Sequence, residues 1–374
     1  RALIVREIGG ELLCTTPKVL REEVGLIAAV RAGRGKFSPL VPGTLSVRDS
    51  RLSLEQSRAV ESILHSTGKV MAVRGAAGVG KTTLVYHLAC MIAERGETVL
   101  AVDLDPQANL TSMFLSEDQL ELLWPNGEHP GTIFGALRPI IRGLGDVQAP
   151  HMEQINPHLG LVVGDLALST FEDKLSDAWP RCHNRDESAF RTMTAFYRGA
   201  RQAATQSGAQ WVLIDVGPNL GAINRAALIA SQHVVIPLGP DLFSLQGLRN
   251  LGPSLRAWRA SWQELSAKNP DPLIELPSGQ IEPLGYVVMQ HGMRENRPPK
   301  AYQRWINRFP DEYRESVLNE RPGGTISASA DPYCLAMLKH YRSLMPLAME
   351  ARKPVFSLKP ADGAIGAHGE AVRN

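Results

Sequence analysis

The sequence predicts an α/β chain built on a doubly wound, mostly parallel sheet flanked by helices, with a short helical N-terminal extension. Three observations predict it. An apolar run, Val70 to Val73, leads into the glycine-rich loop Gly75–Thr82, and Leu84, Val85, Leu88, Ala89 and Ile92 then recur at helical spacing. A second apolar run, Val99 to Val102, ends in Asp103 and Asp105. A third, Trp211 to Ile214, ends in Asp215; a helical pattern from about Ala222 and a further apolar run, His233 to Leu238, come next. Short unbroken apolar runs alternating with helices are what parallel strands require, because the crossover helices cover the sheet on both faces.

The first loop carries chemistry. Gly75-Ala76-Ala77-Gly78-Val79-Gly80-Lys81-Thr82 satisfies G-x-x-x-x-G-K-[ST], in the strand–loop–helix setting that gives the pattern meaning. Glycines 75, 78 and 80 let the backbone turn tightly and set its N–H groups against phosphate oxygens. The helix starting near Thr82 points its positive end at the same anion. Lys81 is placed to reach the β- and γ-phosphates of ATP, and the Thr82 hydroxyl to hold Mg²⁺. The candidate nucleotide contacts are therefore Gly75, Gly78, Val79, Gly80, Lys81, Thr82 and Thr83; the bland alternative is a glycine-rich turn that binds nothing. Asp103 and Asp105 leave a strand at its carboxyl end, where open α/β sheets bind ligands. Asp105 is the candidate to orient an attacking water, or else simply starts a turn before Pro106. Asp215, ending its own apolar strand, is the second candidate Mg²⁺ ligand.

Composition excludes little. The chain has 374 residues, 44% hydrophobic and 21% charged, as an ordinary globular protein does. Lysine plus arginine number 40 against 38 acids, so any basic surface must be local. Cys14, Cys90, Cys182 and Cys334 are widely spaced, without a metal-like cluster, and read as small buried hydrophobes in a reducing compartment. No apolar stretch approaches the roughly 18 residues of a membrane span. A cytoplasmic protein with no membrane partner is expected.

Along the chain, Leu20, Val24, Ile27 and Val30 suggest a helix over 17–31, and 32–43 reads as a basic linker. A short helix over 51–68 has Ser53 as N-cap and Gln56 completing a capping box. Residues 1–50 are thus an extension and linker, 51–358 the ATPase domain and 359–374 a tail. Residues 116–210 look like a long insertion, with helices over 131–145 and 189–208 and a strand–turn–helix over 159–175 that crosses at Gly164-Asp165. Pro283 to His291 reads as another strand, with Gln290 polar near its end. Then Arg294, Arg297, Lys300, Arg304 and Arg308 stand opposed only by Glu295, with Tyr302 and Trp305 interleaved. Lys300, Arg304 and Arg308 are spaced to share one helical face, suited to neutralising DNA phosphates or merely to being solvated. Residues 331–358 read as helices broken near Pro346, carrying a weaker basic group of Lys339, Arg342, Arg352 and Lys353.

Two resemblances attach to these motifs. ETVLAVDLDPQANLTSMF (97–114) is similar to the second motif of ParA-type partition ATPases, relatives of the MinD class, and 210–251 resembles the same family, in which a D-x-x-P turn responds to the γ-phosphate. From about residue 83 onward this resemblance implies a P-loop NTPase using ATP and Mg²⁺. It also implies an ATP-dependent homodimer, nonspecific binding of duplex DNA, a ParB-like activating partner and a role in plasmid or chromosome partition. It makes Gln290 the candidate adenine contact. The family's loop, K-G-G-x-G-K-[ST]-[ST], begins with a lysine that crosses the dimer interface. Alignment on Lys81 puts Ala76 there and Ala77 at the next glycine, so weak hydrolysis or impaired dimerisation is expected. Arg74, two residues earlier, is the candidate substitute. Residues 15–83 instead resemble the helicase region of conjugative relaxases, which share G-A-A-G-x-G-K-T and in which Gln56 would read a base. That leaves two alternatives: a relaxase- or helicase-derived DNA-processing fragment, though the helicase motifs expected downstream do not appear in order, and a non-catalytic nucleotide-binding protein.

Overall fold

Val70–Val73 (β3), Val99–Asp103 (β4) and Trp211–Asp215 (β7) are almost wholly buried, and alternation along each strand explains their unbroken apolar character. Ala72, Leu100, Val102, Val212 and Ile214 join the core on one side of the sheet. Met71, Val73, Val99, Ala101, Trp211 and Leu213 join that on the other. With both faces covered, neither parity of position can be polar. The computed structural model describes residues 4–8, 11–15, 70–75, 80–124, 129–291, 300–322, 324, 326–339 and 344–363.

In these residues Ile4–Ile8 (β1) and Glu11–Thr15 (β2) pair as an antiparallel hairpin, where helix alone was expected for the N-terminal extension. The helices expected over 17–31 and 51–68 and the linker 32–43 lie outside the described residues. Met152–Asn156 (β5), Leu159–Val162 (β6), His233–Leu238 (β8), Glu282–His291 (β9) and Cys334–Lys339 (β10) complete a sheet of eight strands with the order β10-β9-β8-β3-β7-β4-β6-β5. All neighbours run parallel except the edge pair β5–β6. The expected doubly wound, mostly parallel sheet is present.

Three local readings need correction. Residues 116–210 are no insertion, because β5 and β6 extend the main sheet beyond β4. The single helix over 189–208 is two, Glu187–Met193 and Ala195–Ser207, separated by Thr194 with φ −97° and ψ 4°; Gly208, at φ 64°, ends the second. In 331–358, Cys334–Lys339 is a strand, not a helix. Its Leu, Ala and Met residues favour helix in isolation, but pairing along the free edge of β9 overrides that preference. Helix resumes only at Leu344–Ala351, with Pro346 in its first turn, where the missing N–H costs little.

Long-range contacts fix the outer part of the sheet. The helix Leu242–Ser266 follows β8 and crosses a π-helical turn, Tyr313–Leu318. At the crossing a Cβ on Gly252 would overlap the Ser316 carbonyl oxygen. One turn to either side, Arg249 grips the Glu312 carboxylate through two bonds, at 2.9 and 2.8 Å, and Arg256 donates to the carbonyls of Ser316 and Val317. The described cysteines 90, 182 and 334 are free and buried, as expected.

Candidate functional site

The sheet order brings the carboxyl ends of β3, β7 and β4 side by side, with Asp103 directly across from Asp215. The helix that answers them, Lys81–Glu94, begins at Gly80, whose φ of 85° lies in the left-handed region that glycine reaches without strain. Its first residues turn onto the acids. The Lys81 Nζ lies 2.6 Å from Asp105 Oδ2 and 3.7 Å from Asp215 Oδ1. The Thr82 hydroxyl donates to Asp215 Oδ2 at 2.7 Å. Asp215 Oδ1 is buried and accepts no hydrogen bond.

Burial holds the Asp215 carboxyl above its ordinary range, against the opposing pull of Lys81 and Thr82. A threonine hydroxyl beside a carboxylate with a spare buried oxygen is a hard-oxygen set that suits Mg²⁺. Asp105 serves the turn as well as facing Lys81: its Oδ1 accepts from the Gln107 N–H at 3.1 Å, and its carbonyl accepts from Ala108 at 2.8 Å.

Asp103 differs. Its Oδ2 accepts from both the N–H and the hydroxyl of Thr111, at 2.9 and 2.8 Å, and Thr111 in turn accepts from the Gly164 N–H. Burial first, then the charge of Asp215, pushes this carboxyl up to about 7. Gly164 stands where a Cβ would press on the Asp103 carboxylate at 2.8 Å, which explains the glycine at that crossing. Of the two acids at the carboxyl end of β4, Asp103 is therefore tied into the fold and Asp105 faces the lysine.

Arg74, the last residue before the glycine-rich loop to carry a long side chain, turns inward within its own chain. Only 5% exposed, it donates through Nη2 to the carbonyls of Pro218 and Asn219, at 3.0 and 3.1 Å. That loop between β7 and the helix Ala222–Ala230 is held further by Asn224, whose Nδ2 donates to Gly217 and Asn219. Glu172, from the helix Phe171–Cys182, accepts from the N–H groups of Ala222 and Ile223. Neither Asn224 nor Glu172 was singled out in the sequence. Asn224 had a signal, being one polar residue within the apolar run AINRAALIA.

Behind the site, His87 on the Lys81–Glu94 helix bonds to the Thr83 carbonyl at 2.8 Å through Nδ1 and accepts from the Val355 N–H at 3.1 Å through Nε2. Burial drops this imidazole to about 4, so it stays neutral and can make both bonds.

Other sequence candidates are scattered or lie elsewhere. Ala76, Ala77, Gly78 and Val79 are outside the described residues, as are Arg294 and Arg297. Gly75 is buried two residues beyond β3, and Thr83 lies in the first turn of the helix. Gln290 is near the end of β9, two strands from β3. Lys300 opens a helix that ends at Ile306, so Arg308 does not continue the face with Lys300 and Arg304. The chain tightens there, Arg308 N–H bonding to the Trp305 carbonyl before Phe309-Pro310 starts a new turn. The two arginines nonetheless meet, their guanidinium carbons 4.5 and 5.6 Å from the centre of the Trp305 ring.

A family profile described as the AAA domain matches residues 68–265, more than half of the chain. The chain belongs to that family, and it is of the ParA type. It is 29% identical over 178 residues to the chromosome partitioning protein ParA of Myxococcus xanthus, a match covering 46% of this chain and 53% of the other. It is 31% identical over 187 residues to the chromosome-partitioning ATPase Soj of Thermus thermophilus, covering 49% and 59%. The chain thus spans little more than half the length of these curated relatives. Among solved structures, a protein of Corynebacterium diphtheriae matches with TM-score 0.54 at 27% identity, over 59% of this chain and 82% of that one. A Cyanothece McdA variant in complex with ATP matches with TM-score 0.54 at 16% identity, over 82% and 96%, which establishes the shared fold. Of residues 15–83, for which a relaxase resemblance was expected, 68–83 fall within this family match, and 16–69 lie outside the described residues.

Proposed function

We propose that the chain is a Mg²⁺-dependent ATPase of the partition type, which dimerises with ATP and holds duplex DNA without sequence preference. The observation that carries this reading is the convergence of Lys81, Thr82, Asp105 and Asp215 at three adjacent strand ends. Thr82 and Asp215 would hold Mg²⁺, which would supply positive charge to offset that of the nucleotide's phosphates. Lys81 leaves the carboxylates for the phosphates, and Asp105, so released, is free to orient water. Gln290 is the proposed adenine contact. The relatives' partition names support the cellular role; a ParB-like activator and action at the nucleoid complete the proposal. Ala76 in place of the family's lysine favours a second reading, a binder that turns over little or no ATP.

ATPase activity and sedimentation of the chain with ATP and Mg²⁺, with and without duplex DNA, test the proposal, with Lys81→Ala as control. Turnover with a rise in mass is expected. Binding without turnover supports the second reading, and absence of ATP binding sinks both.

The DNA surface is assigned to Arg294, Arg297, Lys300, Arg304 and Arg308. Stacking on Trp305 holds the two guanidinium planes of Arg304 and Arg308 while leaving their edges able to donate to phosphates. Arg304→Glu with Arg308→Glu is expected to weaken binding of any duplex about tenfold or more and to lower the slope of log affinity against log salt by roughly 2. Unchanged affinity in a salt titration removes these residues from the interface.

A further inference from the structure

Arg74 is a buried cation that the proposed chemistry does not use. Holding a guanidinium out of water is costly unless its donors are well met, and burial lowers this one to about 10. Yet its Nε is buried without an acceptor, while its Nη2 donates to two consecutive carbonyls, Pro218 O and Asn219 O.

The peptide group converts that into a statement about the opposite face of the loop. In a planar trans peptide the carbonyl and the following N–H point in opposite directions, and no peptide bond among the described residues is cis. With the carbonyls of 218 and 219 drawn in toward Arg74, the N–H groups of Asn219 and Leu220 point away from it. Both residues are exposed, and neither N–H finds an acceptor among the described residues. The next amides are already taken: Gly221 donates to Asn219 Oδ1 at 3.2 Å, and Ala222 and Ile223 donate to Glu172. Two consecutive free N–H donors thus stand four and five residues after the candidate metal ligand Asp215. The start of the same loop lies by the other acid, since a Cβ on Gly217 would meet Asp105 Oδ1 at 3.6 Å.

We propose that Arg74 is a positioning residue for the terminal phosphate: by anchoring the Pro218 and Asn219 carbonyls, it keeps the Asn219 and Leu220 N–H groups turned out as donors to the γ-phosphate oxygens. The inference rests on the nucleotide-binding reading above and deepens it. It also gives Arg74 a role inside its own subunit instead of the interface-crossing role of the missing lysine.

The test compares ADP with a non-hydrolysable ATP analogue, both with Mg²⁺, on the full chain. Arg74→Gln is expected to weaken the analogue about tenfold while ADP affinity stays within about twofold, and Arg74→Lys, which keeps a charged donor, to recover part of the loss. In the unsubstituted chain, the amides of Asn219 and Leu220 are expected to be protected from hydrogen exchange by the analogue and not by ADP, a readout that needs no variant to fold. Equal losses for both nucleotides, or equal protection by both, overturn the role of Arg74 and leave the nucleotide reading standing. Failure of the unsubstituted chain to bind either nucleotide overturns that reading, and this one with it.

Discussion

Lys81→Ala is expected to cut turnover by about a hundredfold or more, since it removes a cation aimed at charge that grows in the transition state. It is also expected to destabilise the nucleotide-free chain by on the order of 3 kcal/mol, because it strands buried carboxylates without their cation. The second effect follows from the geometry. The Lys81 side chain is 9% exposed, Asp105 2% and Asp215 0%, and the ammonium lies within 4 Å of both carboxylates. Asp103 adds a further buried acid beside them.

The loss must depend on pH, with a definite sign. Burial raises the Asp215 carboxyl in the folded state, and Lys81 opposes that rise, so removing the lysine raises it further. A carboxyl raised on folding binds its proton in the native state before the unfolded one does. Stability therefore falls as pH climbs from the ordinary carboxylate range through the raised value. The deficit of Lys81→Ala should be largest near pH 8 and shrink toward pH 5, read by urea unfolding at both. Adding Asp105→Asn should restore much of the loss at pH 8. A deficit of the same size at both pH values would show that lost packing, not stranded charge, is responsible.

Gly252→Ala should destabilise by about 3 kcal/mol, the upper end of what overpacking costs. Two opposing effects meet at this position. Alanine in place of glycine inside a helix gains up to about 1 kcal/mol from propensity. Against it, the added Cβ would overlap the Ser316 carbonyl oxygen, which is backbone and cannot rotate away. Pro253 follows directly and disfavours helical backbone in a residue that carries a Cβ. Moving the helix aside would strain the bonds of Arg249 to Glu312 and of Arg256 to Ser316 and Val317. Steric overlap wins. The same helix supplies its own control, since a Cβ on Gly247 would meet nothing within 4 Å. Gly247→Ala should therefore raise the urea midpoint while Gly252→Ala lowers it; shifts of the same sign would refute the argument.

What could be read from the residues, and what could not, divides along physical lines. β3, β4, β7 and β8 were legible because strands buried on both faces must be apolar almost throughout, and the acids that close β4 and β7 mark the carboxyl end of the sheet. The loop pattern at Gly75–Thr82 was legible because glycine, lysine and threonine each answer a separate demand of a phosphate. β10 was not legible, since its residues prefer helix and only the edge of β9, far off in sequence, makes them a strand. The different fates of Asp103 and Asp105 could not be read either: which acid ties into the fold depends on Thr111 and Gly164, brought up by other elements. Nor does local sequence show that Arg74 bonds to a loop 144 residues away. At Arg308 spacing misled, because a helical face assumes that the helix continues, and here it stops at Ile306.

The place of β3 in the sheet bears on how the chain is made. Its neighbours are β7 and β8, and no strand between residues 73 and 211 touches it. As the protein leaves the ribosome, Val70–Val73 emerges before either partner: its ladder with β7 must wait for residues up to Asp215, and its ladder with β8 for residues up to Val235. At typical elongation rates that interval is roughly 10–30 s. Throughout it the strand leading into the phosphate loop is an apolar segment without a partner, while β4, α-helical crossovers and β6 can begin to assemble beside it. Binding of nucleotide can then come only after the central strands close, so competence for ligand should appear late in synthesis and all at once.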